Sequence, residues 1–272
     1  MRELIKTLQA QPTSDGAGVK IHRLADTQLM NPFLMLDEIR SDQADDYLAG
    51  FPEHPHRGFE TITYMKTGAM RHRDHMGNEG VIRSGGVQWM KAGRGVIHSE
   101  MPEQDSGLLH GFQIWLNLPA VEKMEPAEYN DLPHATLSKD SHEQVSVISG
   151  EVTVNRGAEE VLQGPLTGRA TQPVLFDVEL PAHATTELKF SPKQPAQLYV
   201  YQGSMNGVGQ GHLALFTPGE RLQLQAGKTG GHALVLSGKP LREPVVQYGP
   251  FVMNSREEIE QALRDYSTGE LV

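Results

Sequence analysis

The stretch HPHRGFETITYMKTGAM, His54 to Met70, decides how the chain is read. It opens on two histidines one residue apart, His54 and His56, and Glu60 follows. Glu60–Met65 is then a short segment rich in β-branched and apolar residues, and Gly68 ends it. That is the pattern of a strand left through a tight turn. Side chains alternate along an extended chain, so His54 and His56 share a face.

Working outward, most apolar segments are equally short and are bounded by Gly, Pro, Asn or Asp. They include Val87–Met90, Gly111–Leu118, Val145–Ile148, Val174–Leu180, Gln197–Tyr201, His212–Phe216 and Ala233–Leu236. In Gly111–Leu118, Phe112, Ile114 and Leu116 fall on one face and Gln113, Trp115 and Asn117 on the other. Many short strands with glycine punctuation predict an all-β fold, a sandwich or barrel. The C-terminal end differs. Ile259, Ala262, Leu263 and Tyr266 share one helical face, Ser255 with Glu258 forms a capping box, and Gly269 is a stop. A helix is expected over 255–267, its apolar stripe against the outside of a β-domain.

Residues 119–143 hold three prolines and little periodicity, which reads as a connection. The expected organisation is a domain at 1–125, a linker at 126–143 and a second domain at 144–272. A repeat supports two related units: TYMKTGAM around Tyr64 matches YVYQGSMN around Tyr199, and AGRGVIH before His98 matches AGKTGGH before His232.

A chain of 272 residues, 38% hydrophobic and 21% charged, is long enough for a full core. Its net charge of −10 argues against direct nucleic-acid binding. With no cysteine, disulfides, thiolate nucleophiles and iron–sulfur clusters are excluded. No apolar run reaches membrane length and no secretory leader pattern is seen, so a soluble cytoplasmic protein is expected, with no membrane partner. Nucleophile-elbow, phosphate-loop and zincin motifs are missing.

A second pair, His98 and Glu100 in VIHSE, has the same alternate spacing as the first. If two strands bring the pairs together, three imidazoles and one carboxylate meet. That set suits Fe, Ni, Cu, Co or Mn better than Mg or Ca. Spacing alone is equally served by hydrogen-bonded interior histidines. His72, Asp74 and His75 read as a solvated loop or a support around the site, and His110 as a hydrogen-bonded structural histidine. Gln113 and Trp115 line a pocket mouth or face solvent, and Arg94 orients an acidic group or solvates a turn.

HPHRGFET, VQWM-x-AGRG-x-x-HSE and HG-x-Q-x-W-x-NLP resemble the pirin family of the cupin superfamily. The likeness is dense over about residues 30–120 and returns in the tail GPFVMNSREEIEQALRDYSTGEL. It implies a bicupin of two antiparallel β-barrels with one divalent metal in the first. Fe(II) is favoured over Cu, Ni, Co, Mn or Zn. The family's ligands fall on His54, His56, His98 and Glu100. Glu60 has the spacing of the carboxylate in the general cupin motif and is left as a hydrogen-bond partner of a ligand or an ion-pair partner of Arg57. The second unit has His232 but Leu234 in place of a glutamate, and is expected to lack a site.

The activity implied is that of a quercetin 2,3-dioxygenase, opening a flavonol with O2, with Glu100 or Glu60 as the catalytic base. The alternative is an iron-dependent regulatory protein acting on a protein partner. A monomer is expected, since two fused domains already supply the pairing single cupins obtain by dimerising.

Overall fold

The computed structural model describes residues 1–272 apart from 135, 136 and 143, which fall within the expected connection. Contacts divide the chain into two units, each discontinuous in sequence. One holds Gln11–Ala135 with Leu241–Val272, the other Met1–Ala10 with Thr136–Pro240. The sequence reading placed its boundaries at 125 and 143; the contacts place them at 10, 135 and 240.

The first strand, β1 (Leu4–Gln9), pairs antiparallel with His212–Phe216 and so belongs to the unit of residues 136–240. That unit is an eleven-stranded antiparallel arrangement around a core including Val147, Phe176, Leu198 and Val235. Gly203, the repeat's counterpart of Gly68, has a positive φ as Gly68 does, which is the conformation that favours glycine.

The histidine-bearing unit continues with β2 (Gln11–Asp15), β3 (Val19–Leu24), β4 (Phe33–Ser41), β5 (Phe51–His56), β6 (Phe59–Thr67) and β7 (Ala69–Asp74). Then come β8 (Glu79–Arg83), β9 (Val87–Lys91), β10 (Val96–Pro102), β11 (Leu109–Asn117) and β12 (Glu128–Leu132). They form a seven-stranded sheet, β12-β9-β6-β11-β4-β3-β2, and a four-stranded sheet, β5-β10-β7-β8. Val19, Ile21, Ile39, Met65, Met70 and Ile82 pack across the two. Among the described residues both strand paths run open rather than closing into barrels. The structure is mostly β, with one α-helix among the described residues.

The strand β12 lies inside the stretch read as a linker, and it pairs antiparallel with β9. Its sequence, EYNDL, is polar on both faces and no residue of it is fully buried. An edge strand held by backbone hydrogen bonds carries no apolar alternation, so periodicity does not reveal it.

The helix α1 (Arg256–Thr268) follows the sequence expectation. Ser255 and Glu258 form the reciprocal capping box, and Gly269 ends the helix at a φ of 78°. Ile259 and Ala262 bury against Phe251, Met253 and Leu271, with Ile97 of β10 alongside. The tail is clamped onto the first unit by buried cations. Arg57 donates to Asp265 Oδ2 at 2.6 Å and to the Arg94 carbonyl. Arg57, one of the two partners the sequence offered for Glu60, thus pairs with the helix. Lys123 Nζ donates to the Gly58 carbonyl (2.6 Å), Asn117 Oδ1 (2.6 Å) and the Val252 carbonyl (2.9 Å). At Gly58 a Cβ would lie 2.0 Å from the Val252 carbonyl oxygen, so only glycine admits this approach.

Replacing Lys123 with Met strands three buried acceptors, each costing about 1–3 kcal/mol. Lys123→Met is expected to lower unfolding stability by at least about 3 kcal/mol in urea titrations. A loss under about 1 kcal/mol would show that the clamp is not what fixes the tail.

Candidate metal centre

β5 and β10 are neighbours, and their register sets His98 directly opposite His54. His54 Nε2 lies 3.0 Å from His56 Nε2. One ring nitrogen from each of His54, His56 and His98 falls within 4.8 Å of the other two. His56 and His98 are buried, and His98 Nε2 is a buried nitrogen with no hydrogen-bond partner. Burial pushes His56 and His98 well below the ordinary histidine value of 6.5, and the neighbouring histidines push the same way. The Pro250 carbonyl works against this at His56. Neutral imidazoles are the form that binds metal.

Glu100 sits two residues beyond His98 on the inner face of β10 and is buried. The β5–β10 register slips between His98 and Glu100. The Glu100 carboxylate turns to the seven-stranded sheet. Its Oε1 accepts from Thr63 Oγ1 at 2.7 Å and its Oε2 from Gln113 Nε2 at 3.1 Å. It stands apart from the imidazole triad while lining the same cavity. Glu60 is also buried, but alternation along β6 sets it on the opposite face from Thr63, away from that cavity.

The cavity has a volume of about 900 Å³. Phe51, Trp115 and Met35 give it apolar walls. The Trp115 ring lies 5.3 Å from that of His56 and 4.3 Å from Phe59. Gln113 and Trp115 therefore face the cavity rather than solvent. A polar wall is built by Arg23, which donates to Asp37 Oδ1 and Oδ2 at 2.8 and 2.6 Å and also to Asp15. Burial raises the Asp37 carboxyl, against the pull of Arg23. These three residues, and Thr63, carry no spacing signal in the sequence, since they meet only across strands.

His72 and Asp74 are buried against the back of His98 rather than solvated in a loop. His75 is near the same strand, its backbone N–H donating to the Ile97 carbonyl. His110 is the structural histidine expected, 2.9 Å from Glu38 Oε1. The Arg94 side chain is exposed. In the other unit His232 faces Glu179 at 3.3 Å.

The pirin profile matches residues 16–116, and that of the pirin C-terminal cupin domain matches residues 175–272. The chain belongs to the pirin family. A Vibrio cholerae relative, provisionally named a quercetin 2,3-dioxygenase, is 51% identical over 98% of this chain and 97% of its own length. A Pseudomonas aeruginosa protein with the same provisional name is 46% identical over 99% of this chain and 98% of its own. Among solved structures, a quercetin 2,3-dioxygenase from Acinetobacter baumannii superposes with a TM-score of 0.87 at 30% identity, covering 100% of this chain and 98% of that one.

The residues fit a metal. Three convergent imidazoles, the unpartnered buried His98 Nε2 among their atoms, make a nitrogen donor set for a divalent transition ion, and the Glu100 carboxylate lines the adjoining cavity. Pirin membership implies the same. No helix among the described residues is long and apolar enough to cross a membrane.

The depressed histidine values have a defined sign. Above 6.5 both folded and unfolded forms are neutral. Below it the unfolded chain takes up protons that buried His56 and His98 refuse, so stability falls as pH falls. Metal-free protein is expected to lose up to about 1.4 kcal/mol per histidine per pH unit below 6.5. Urea midpoints at pH 7.5 and 5.5 measure this, and His56→Leu should shallow the decline. A flat profile in the wild type would contradict the buried neutral assignment.

Proposed function

We propose that the protein is a metal-dependent dioxygenase of the quercetin 2,3-dioxygenase type, acting on a flavonol with O2. The observation that carries the reading is the convergence of three imidazoles, two of them buried, beside an aromatic-lined cavity of about 900 Å³ whose wall includes His54 and His56. The relatives' names support the same reading. His54, His56 and His98 are the nitrogen donors, with Fe(II) as the ion and Glu100, outside the triad, as the carboxylate nearby.

When bound, the ion supplies Lewis acidity and redox contact with O2. The rest falls to the chain's own side chains. Glu100, held by Thr63 and Gln113, accepts the proton of the substrate's enolic hydroxyl. Glu60, on the far face of β6, takes no part. Trp115 and Phe51 hold flat rings by apolar contact and exclude water. Asp37 and Asp15, bridged by Arg23, accept hydrogen bonds from hydroxyls on the remote ring.

The test loads the protein separately with Fe(II), Cu(II), Ni(II), Co(II) and Mn(II) and follows the visible absorbance of quercetin in air. Bleaching with at least one ion is expected, and no bleaching with any would overturn the reading. His56→Ala should lose both bound metal and turnover. Trp115→Ala should keep its metal and raise KM about tenfold, the scale of one lost aromatic contact.

A further inference from the structure

β7 runs antiparallel to β10, and the register sets Asp74 opposite His98 and His72 opposite Glu100. The His72 and Asp74 side chains are fully buried. Asp74 is tied down by the turn that follows it. Its Oδ1 accepts from the backbone N–H groups of Met76 and Asn78, both at 3.0 Å, and its Oδ2 from Asn78 Nδ2 at 2.9 Å. The same Oδ2 meets His72 Nε2 at 3.3 Å. On the other side of the ring, His72 Nδ1 meets His98 Nδ1 at 3.4 Å.

Donor counting then runs in one direction. An ionised carboxylate only accepts, so His72 presents its N–H from Nε2. A neutral imidazole has one N–H, which leaves His72 Nδ1 bare. Two bare nitrogens would repel, so His98 carries its hydrogen on Nδ1. Its Nε2 is left bare, and that is the buried atom with no hydrogen-bond partner. His54 is arranged on the same plan, with Nδ1 2.7 Å from the Pro52 carbonyl, which also only accepts. Packing holds the ring of His72 in place, since it lies 4.9 Å from that of Tyr129.

We propose that Asp74 and His72 are positioning residues that fix His98 in the Nδ1–H tautomer, presetting its Nε2 as a metal donor. The inference rests on the metal reading above. It assigns a task to two residues that touch neither substrate nor ion. Acceptors placed behind metal-binding histidines orient the ring and raise its basicity.

The experiment uses the full chain and two readouts. Long-range ¹H–¹⁵N correlation spectra of the metal-free wild type report each histidine's tautomer. They should show Nδ1–H on His98 and Nε2–H on His72, and Nε2–H on His98 would overturn the proposal. The second readout is Ni(II) affinity by chelator competition, for wild type, Asp74→Asn and His72→Phe. In Asp74→Asn the backbone donors of Met76 and Asn78 keep the amide oxygen, so Nδ2 faces His72 and the donor order inverts, giving the wrong tautomer. Both variants should bind Ni(II) about ten- to a hundredfold more weakly. Affinities within twofold of wild type, in variants with wild-type circular dichroism, would overturn the proposal. If wild type binds no Ni(II) but shows the expected tautomers, the metal reading fails and the positioning chain is upheld.

Discussion

Everything at the centre of this molecule depends on the cost of burying imidazole nitrogens. His56 and His98 are out of water, and three ring nitrogens crowd within 4.8 Å of one another. Buried polar atoms in folded proteins almost always have partners. Here the remote nitrogens of His54 and His98 meet the Pro52 carbonyl and His72, while the near ones face each other across a small gap. A fold that accepts this crowding must recover the cost, and an ion shared by all three would recover it.

The scaffold serves that arrangement by rigidity. The two histidine-bearing strands sit side by side in the four-stranded sheet, and the seven-stranded sheet supplies Thr63, Gln113 and Trp115 across the cavity. The C-terminal strand pair Val246–Tyr248 and Phe251–Met253 and the helix are locked to the same unit. Arg57, the residue after His56, reaches Asp265 of the helix, and Lys123 gathers Gly58 and Val252. The end of β5 is thus braced from outside by residues that never enter the cavity.

Much of this was legible in the chain. The H-x-H and H-x-E pairs put the donors on strands, and the capping box with its glycine stop gave the helix. What escaped detection shares one physical cause, dependence on pairing across strands. The edge strand Glu128–Leu132 has no buried alternation to betray it. The Arg23–Asp37 pair joins two strands through side chains fourteen residues apart. His72 and Asp74 looked like part of a charged loop because RHRDH is polar, yet register folds both beneath His98. Glu60 is the opposite case, a residue with attractive spacing that strand parity turns away from the cavity.

The most direct measurement is an anomalous difference map from crystals soaked with Ni(II), with data collected at the nickel absorption edge. The account predicts a single strong peak about 2.1 Å from the ring nitrogens of His54, His56 and His98. A map with no peak there, or with its strongest peak elsewhere on the chain, would contradict it.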